Sequence, residues 1–193
     1  MKSLLPFLTY ALVTSFTPGP NNIMSLVNAK QFGLKRTFRF ILGVTLGFLV
    51  VMLLASYFNL ILFRLLPSIK GFMNGIGAVY MLYLAYLMVK PGAHGASVNA
   101  TNTLWSGFIL QFINVKVILY GITVVATFII PYSKSALHLG LSSVFLALVG
   151  FLATTCWALG GSLFQNFLTR HHLSFHWTMA GLLIFSAVSV FIH

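Results

Sequence analysis

The chain has 193 residues, of which 59% are hydrophobic and 6% are charged, and its mean hydropathy is +0.99. Soluble domains carry about 25% charged residues, so the composition excludes a soluble protein. The 11 Lys and Arg residues stand against no Asp or Glu, which excludes any salt bridge to an acidic side chain within the chain. The single cysteine, Cys156, excludes an internal disulfide and a multi-cysteine metal site.

The apolar residues form six long stretches, and a helix of about 20 apolar residues crosses a bilayer. The predicted fold is therefore an all-α integral membrane protein, with one six-helix transmembrane domain over residues 1–193. The N-terminal stretch has no small-residue cleavage site and is read as a retained first helix. The predicted spans are residues 4–28, 41–63, 71–89, 105–130, 139–163 and 177–192, with loops at 30–39, 64–70, 90–103, 131–138 and 165–176.

The first span is interrupted near its middle by Pro18, Gly19 and Pro20, followed by Asn21 and Asn22. The two prolines remove two backbone donors, so the helix must break or unwind there. Within a bilayer, a break is tolerated only where protein or a water-lined cavity satisfies the freed backbone groups. This segment is a candidate site, although a simple kink is the competing interpretation.

The fourth span carries the second anomaly, because Lys116 lies deep within it, two residues after Asn114. A charge at this depth costs at least ~2.5–3.5 kcal/mol and usually faces a polar pathway and a partner. With no carboxylate in the chain, the partner is a backbone carbonyl, water, a neutral amine form of the lysine, or the carboxylate of a bound substrate. A purely structural lysine held by carbonyls is the competing interpretation.

The two anomalies lie about 96 residues apart, each in the first span of a three-span half. Broken helices at corresponding positions of two inverted halves indicate a transporter site at the repeat interface, so we predict inverted repeats at 1–93 and 97–193. The N-terminus of the half-helix after Pro20, together with Lys116, would bind the carboxylate of an amino acid. Its ammonium group would meet exposed carbonyls and the side chains of Asn21, Asn22, Asn114 and Tyr120.

Other residues have weaker functional interpretations. Thr154, Thr155 and Cys156 lie in mid-span and are candidate substrate contacts, although hydroxyl bonds back to their own helix, and packing for Cys156, are the favoured explanations. Gly43 and Gly47 predict a close helix-packing face, within the chain or between copies in a homo-oligomer. The histidines at 171, 172 and 176 lack an acidic second shell, so we expect no metal, and we expect no cofactor.

The distribution of cations predicts orientation and partners. Lys and Arg in short loops stay on the cytoplasmic side, and the first, third and fifth loops carry more of them, which places both termini outside the cytoplasm. We expect these cations to meet anionic lipid headgroups, at ~1 kcal/mol each, and not nucleic acid. The cytoplasmic set is Lys30, Lys35, Arg36, Arg39, Lys90 and Arg170, and the opposite set is Lys2, Arg64, Lys70 and Lys134.

At these motifs the chain resembles the lysine exporter and homoserine/threonine resistance (LysE/RhtB) superfamily of amino-acid exporters, which are small proteins of six spans. The resemblance runs along the whole chain and implies a bacterial inner-membrane exporter working by alternating access. Its motifs here are residues 17–22 (TPGPNN), Gly33, Arg36, residues 77–80 (GAVY) and residues 111–116 (QFINVK).

The chain departs from that family at two positions. Many members have Asp where this chain has Asn21, and Pro where it has Val115. The first change removes a carboxylate that could carry a proton or cation, and it shifts the expected substrate toward small neutral zwitterions. The second leaves Lys116 in a less distorted helix. An exporter of homoserine or threonine, a non-transport accessory subunit and a membrane-embedded enzyme are the alternatives. The enzyme is disfavoured because no acidic residue is available for acid–base chemistry.

Overall fold

In the computed structural model, residues 4–59, 75, 78–86, 89 and 102–192 are described, and all regular structure in these ranges is helical. The predicted loop at 64–70, most of the loop at 90–103 and part of the span at 71–89 lie outside them, as do Lys2, Arg64, Lys70 and Lys90. The helices are α1 (Leu4–Phe16), α2 (Pro20–Phe32), α3 (Leu34–Tyr57), α4 (Leu104–Ile113), α5 (Val115–Val124), α6 (Ala136–Leu163), α7 (Gln165–Arg170) and α8 (His172–Ile192).

The all-helical prediction is confirmed for the described residues. Among them, α3 and α6 are each long and apolar enough to cross a membrane. Helix α4 and the segment that follows it, α5 with its π-helical continuation Val125–Ile129, qualify as a third span when counted as one bent unit. Helix α1 is apolar but shorter.

Two of the predicted loops are helical instead. Residues 30–39 contain only one non-helical residue, Gly33, whose φ of 76° lets α2 turn directly into α3. Residues 165–176 form α7 and the start of α8, separated by His171. Hydropathy marks the apolar part of each helix, whereas Lys, Arg and Gln also favour helix and extend it past the apolar part.

Local capping explains where two of the helices begin. The Thr103 hydroxyl accepts a hydrogen bond from the Ser106 backbone N–H at 3.0 Å, and the Ser106 hydroxyl accepts one from the Thr103 N–H at 3.1 Å. This reciprocal pair satisfies two donors at the start of α4. The Ser135 hydroxyl caps α6 by accepting from the N–H of His138 at 3.3 Å.

Small residues bring two pairs of helices into backbone contact around the site. A side chain at Gly43 would collide with the Leu104 carbonyl, and one at Gly107 with the Phe40 carbonyl, so α3 and α4 touch through their backbones. The packing role predicted for Gly43 is confirmed, and this face is used within the chain. Gly161 of α6 lies equally close to the Leu26 carbonyl of α2. These contacts hold α2, α3, α4 and α6 around the two helix breaks.

Candidate functional site

The first helix breaks where the sequence predicts. Helix α1 ends at Phe16 and α2 begins at Pro20. Gly19 between them is extended, with φ −178° and ψ 174°. The first helical hydrogen bond of α2 runs from the Ile23 N–H to the Gly19 carbonyl at 2.9 Å, and no side chain caps the helix. The N–H groups of Asn21 and Asn22 therefore lie at an uncapped helix N-terminus.

Protein side chains satisfy the carbonyls that this break frees. The amide of Asn22 donates to the carbonyls of Ser15 and Thr17, at 2.8 and 2.9 Å. The indole N–H of Trp157, on α6, donates to the Phe16 carbonyl at 3.1 Å. The break is thus a built feature with its own partners, as bilayer depth requires.

The second break separates α4 from α5 at Asn114, which has φ −78° and ψ 93°. The helix axis bends by 64° at this point. The less distorted helix expected from Val115 is therefore not observed: the helix breaks at Asn114 without a proline in the next position. The bend turns the first residues of α5 toward the break in the first helix.

Lys116 joins the two breaks. Its ammonium group donates to the Thr17 hydroxyl at 2.8 Å, to the Thr17 carbonyl at 3.1 Å and to the Pro18 carbonyl at 3.3 Å. Of the four partners considered from sequence, the backbone carbonyl is the one observed. Gly19 leaves room for this side chain, since a methyl group there would lie 3.2 Å from Cδ of Lys116 and 3.3 Å from its Nζ.

A second connection between the breaks consists of three amide side chains, Asn21, Gln111 and Asn114, which we call the amide cluster. Asn21 Nδ2 donates to Gln111 Oε1 at 2.8 Å, and Gln111 Nε2 donates back to Asn21 Oδ1 at 3.1 Å. Asn114 Nδ2 donates to the same Asn21 oxygen at 3.2 Å. Gln111 is fully buried, so its paired hydrogen bonds offset a large desolvation penalty.

Both breaks open onto one cavity. Tyr120 lines it, stacked on Tyr10 with ring centroids 5.8 Å apart. The buried Tyr120 hydroxyl lies near the Ser15 side chain but makes no hydrogen bond of acceptable geometry. The lining residues are Thr14, Ser15, Gly19, Pro20, Asn21, Asn22, Val44, Thr45, Phe48, Asn114, Lys116, Val117, Tyr120, Gly150 and Thr154.

The structure brings most of the sequence-predicted site residues together here. Pro18 contributes its carbonyl to Lys116 instead of lining the cavity. Thr154 lines the cavity, but its hydroxyl bonds back to the Gly150 carbonyl at 2.9 Å. Thr155 is not among the lining residues, and Cys156 is exposed outside the cavity.

Sequence reasoning did not single out Thr17, Gln111 and Trp157 as parts of this site. Gln111 lies within the QFINVK motif and Thr17 within TPGPNN, so motif membership was the available signal for these two. Nothing in the sequence places Trp157, of another helix, next to the first break. In the described ranges, no group of three or more His, Cys, Asp or Glu side chains forms a metal site.

Two broken helices that meet at a cavity in an apolar helical protein are typical of secondary membrane transporters. The chain belongs to the LysE type translocator family, which matches it over residues 12–192.

Curated relatives agree with the family assignment over nearly the whole chain. A "Cysteine/O-acetylserine efflux protein" of Klebsiella pneumoniae is 39% identical over 186 residues, which cover 95% of this chain and 94% of the relative. The protein of the same name from Escherichia coli K12 is 36% identical over 189 residues, covering 97% of each. No solved structure matches the chain.

Proposed function

We propose that this protein exports small neutral amino acids such as cysteine and O-acetylserine across the bacterial inner membrane by alternating access. The observation that carries the proposal is the position of Lys116, whose ammonium group bridges two helix breaks at one cavity. The names of the near full-length relatives support this choice of substrates. Homoserine and threonine are the alternative substrates.

The cavity offers complementary groups for the two ends of a zwitterion. The carboxylate would take one of the Lys116 N–H bonds now directed at Thr17 and Pro18, and it would accept from the free N–H groups at the start of α2. The ammonium group would meet the freed carbonyls, the oxygens of Asn21 and Asn114, and the Tyr120 hydroxyl, while Asn22 holds the break in shape.

The absence of acidic residues limits the substrate class. A dicationic amino acid such as lysine would bring a second ammonium group, and the chain has no Asp or Glu to neutralise it. Placing that charge in the cavity without a partner would be costly. A neutral zwitterion carries one charge of each sign and matches the available groups.

The proposed architecture has six transmembrane helices in two inverted repeats, residues 1–93 and 97–193, with both termini on the periplasmic side. The breaks at Pro18–Pro20 and Asn114 support it, because they occupy corresponding positions in the two halves. Attachment of an impermeant label to an added terminal cysteine in intact spheroplasts tests the orientation. Labelling only after lysis would contradict it.

Transport is tested with the purified full-length chain in proteoliposomes. We expect uptake of labelled O-acetylserine and cysteine above protein-free vesicles, weaker uptake of threonine and none of lysine. A second set with an imposed pH gradient separates proton antiport from uniport. Inactivity toward all four amino acids would remove the proposal, and a signal confined to threonine would favour the alternative.

A further inference from the structure

Helix α2 carries a polar stripe that begins at the cavity and continues beyond it. Asn21, Ser25 and Asn28 are spaced i, i+4 and i+7, so they lie on one face of the helix. Ser25 and Asn28 are both fully buried. With a rise of about 1.5 Å per residue, Ser25 lies roughly 6 Å and Asn28 roughly 10 Å beyond Asn21 along the axis. The stripe leads from the cavity toward the end of α2 that carries Lys30.

The two deeper members of the stripe have no hydrogen-bond partner. The Ser25 hydroxyl, the Asn28 amide nitrogen and the Asn28 amide oxygen are all buried and unsatisfied in the part of the chain that the structure describes. A buried polar group left without a partner carries its full desolvation penalty, and native proteins contain few of them. Three such atoms on one face of one helix call for a state in which they are satisfied.

The other faces of α2 show that this is a property of the stripe and not of the helix. Ile23 and Val27 are buried in an apolar cluster with Phe40 and Leu110. Beyond Asn28, the Lys30 ammonium lies 4.1 Å from the centre of the Phe175 ring, which connects this end of α2 to α8. In this conformation, the end of the stripe that is farther from the cavity is therefore closed off from solvent.

We infer that Ser25 and Asn28 line a substrate path that leads from the cavity to the end of α2 that carries Lys30. When that end of the protein opens, the two side chains bind water and the passing zwitterion. The inference rests on the proposed function and names two residues that it does not include. In the enclosed state seen here, the path has closed on the two side chains and left their polar atoms unpaired. Alternating access supplies the second state in which they are solvated.

Cysteine accessibility tests this path. Ser25→Cys and Asn28→Cys are compared with Ile23→Cys and Val27→Cys, which are buried at similar depth on other faces of α2. All four are placed in a Cys156→Ser background, reconstituted as the full chain, and treated with a methanethiosulfonate carrying an ammonium group. We expect Ser25→Cys and Asn28→Cys to react at least about tenfold faster than the two controls, and O-acetylserine to slow them. Equal rates at all four positions, or no reaction at any, would overturn the path.

A transport measurement distinguishes a substrate path from a simple packing defect at these residues. Asn28→Leu has a similar volume and removes the unpaired amide, so a mere packing defect predicts a higher melting temperature with transport intact. We expect instead that O-acetylserine uptake falls at least about tenfold with the fold retained, whereas the control Ile23→Leu, on another face of α2, transports normally. Intact transport in Asn28→Leu would overturn the path. Selective labelling of the stripe without uptake of any tested amino acid would remove the proposed substrates and leave the path in place.

Discussion

Lys116 has three acceptors around its ammonium group, and all of them belong to the segment between α1 and α2. An ammonium group has three donors, so this segment satisfies it without any acidic residue. Its depth in the span was evident from sequence, and so was the need for a partner. The identity of the partner was not, because it depends on the 64° bend that aims α5 at the first break.

Lys116→Met removes the charge and keeps a similar length. We expect uptake of O-acetylserine to fall by at least about tenfold, because Lys116 is the only cation that lines the cavity among the described residues. Uptake into proteoliposomes measures it. Lys134→Met, which removes an exposed lysine far along the chain, is the matched control and should transport normally. Unchanged uptake in Lys116→Met would contradict the proposed role of this lysine in binding the substrate carboxylate.

Gln111 shows what sequence reasoning misses in a single residue. A glutamine among apolar neighbours gives no sign of whether it faces lipid or another helix, since that depends on how two helices are rotated against each other. In the structure it is fully buried and exchanges two hydrogen bonds with Asn21, 90 residues away. Such pairs are set by tertiary packing and not by local pattern.

Gln111→Leu leaves the Asn21 amide without its main partner. We expect a loss of about 1–3 kcal/mol in the free energy of unfolding, the usual effect of a buried polar group left unpaired. Thermal unfolding in detergent shows whether the variant is less stable than the unmodified protein. The double variant Asn21→Leu/Gln111→Leu should lose less than the sum of the two single variants, because neither side chain is then left unpaired. Strict additivity would show that the pair is not coupled.

The helices differ from the predicted spans mainly at their ends. The apolar stretch at 41–63 predicts a helix start seven residues after the observed start of α3 at Leu34. The helical residues before Ile41 include Lys35, Arg36 and Arg39, which lower the hydropathy of this stretch. The first break, in contrast, was predicted at the right residues, because proline removes a donor wherever it occurs. The buried lysine pointed to the fourth span, but the break was not predicted at Asn114 itself, since no proline follows it.

The contact between α3 and α4 depends on the absence of a side chain at Gly43. Gly43→Ala would force its methyl group into the Leu104 carbonyl and push α4, with the amide cluster at its end, away from α3. We expect a large fall in melting temperature and in purified yield, as overpacking usually costs about 1–3 kcal/mol or more. Gly160→Ala, where an added methyl meets nothing within 4 Å, is the control and should be neutral or slightly stabilising.

The protein as a unit carries a formal charge of +11 with no acidic side chain to balance it. Lys35, Arg36 and Arg39 are exposed in the first turns of α3, where the helix dipole is also positive. Charges of one sign at this place repel each other unless an anion lies between them. Anionic lipid headgroups are the abundant anions at a membrane surface and would supply it.

The stability of the protein should therefore depend on lipid charge. We expect a higher melting temperature in bilayer discs containing phosphatidylglycerol than in discs of phosphatidylcholine alone, and a smaller difference at high salt, which screens exposed charges. The variant Lys35→Gln/Arg36→Gln/Arg39→Gln should lose most of the lipid dependence. If the variant keeps the full difference in melting temperature between the two kinds of disc, the anionic headgroups act elsewhere on the chain.

The amide cluster links the two breaks through groups whose hydrogen bonds do not depend on pH. Asn21, Gln111 and Asn114 link the start of α2 to the joint between α4 and α5, and amides do not titrate in the physiological range. A carboxylate at position 21 would change the hydrogen bonds of the cluster whenever it gained or lost a proton. In this chain the hydrogen bonds of the amide cluster are the same at any pH that leaves the fold intact. Only a molecule that competes for the same amide hydrogen bonds, water or the cargo itself, would release the cluster.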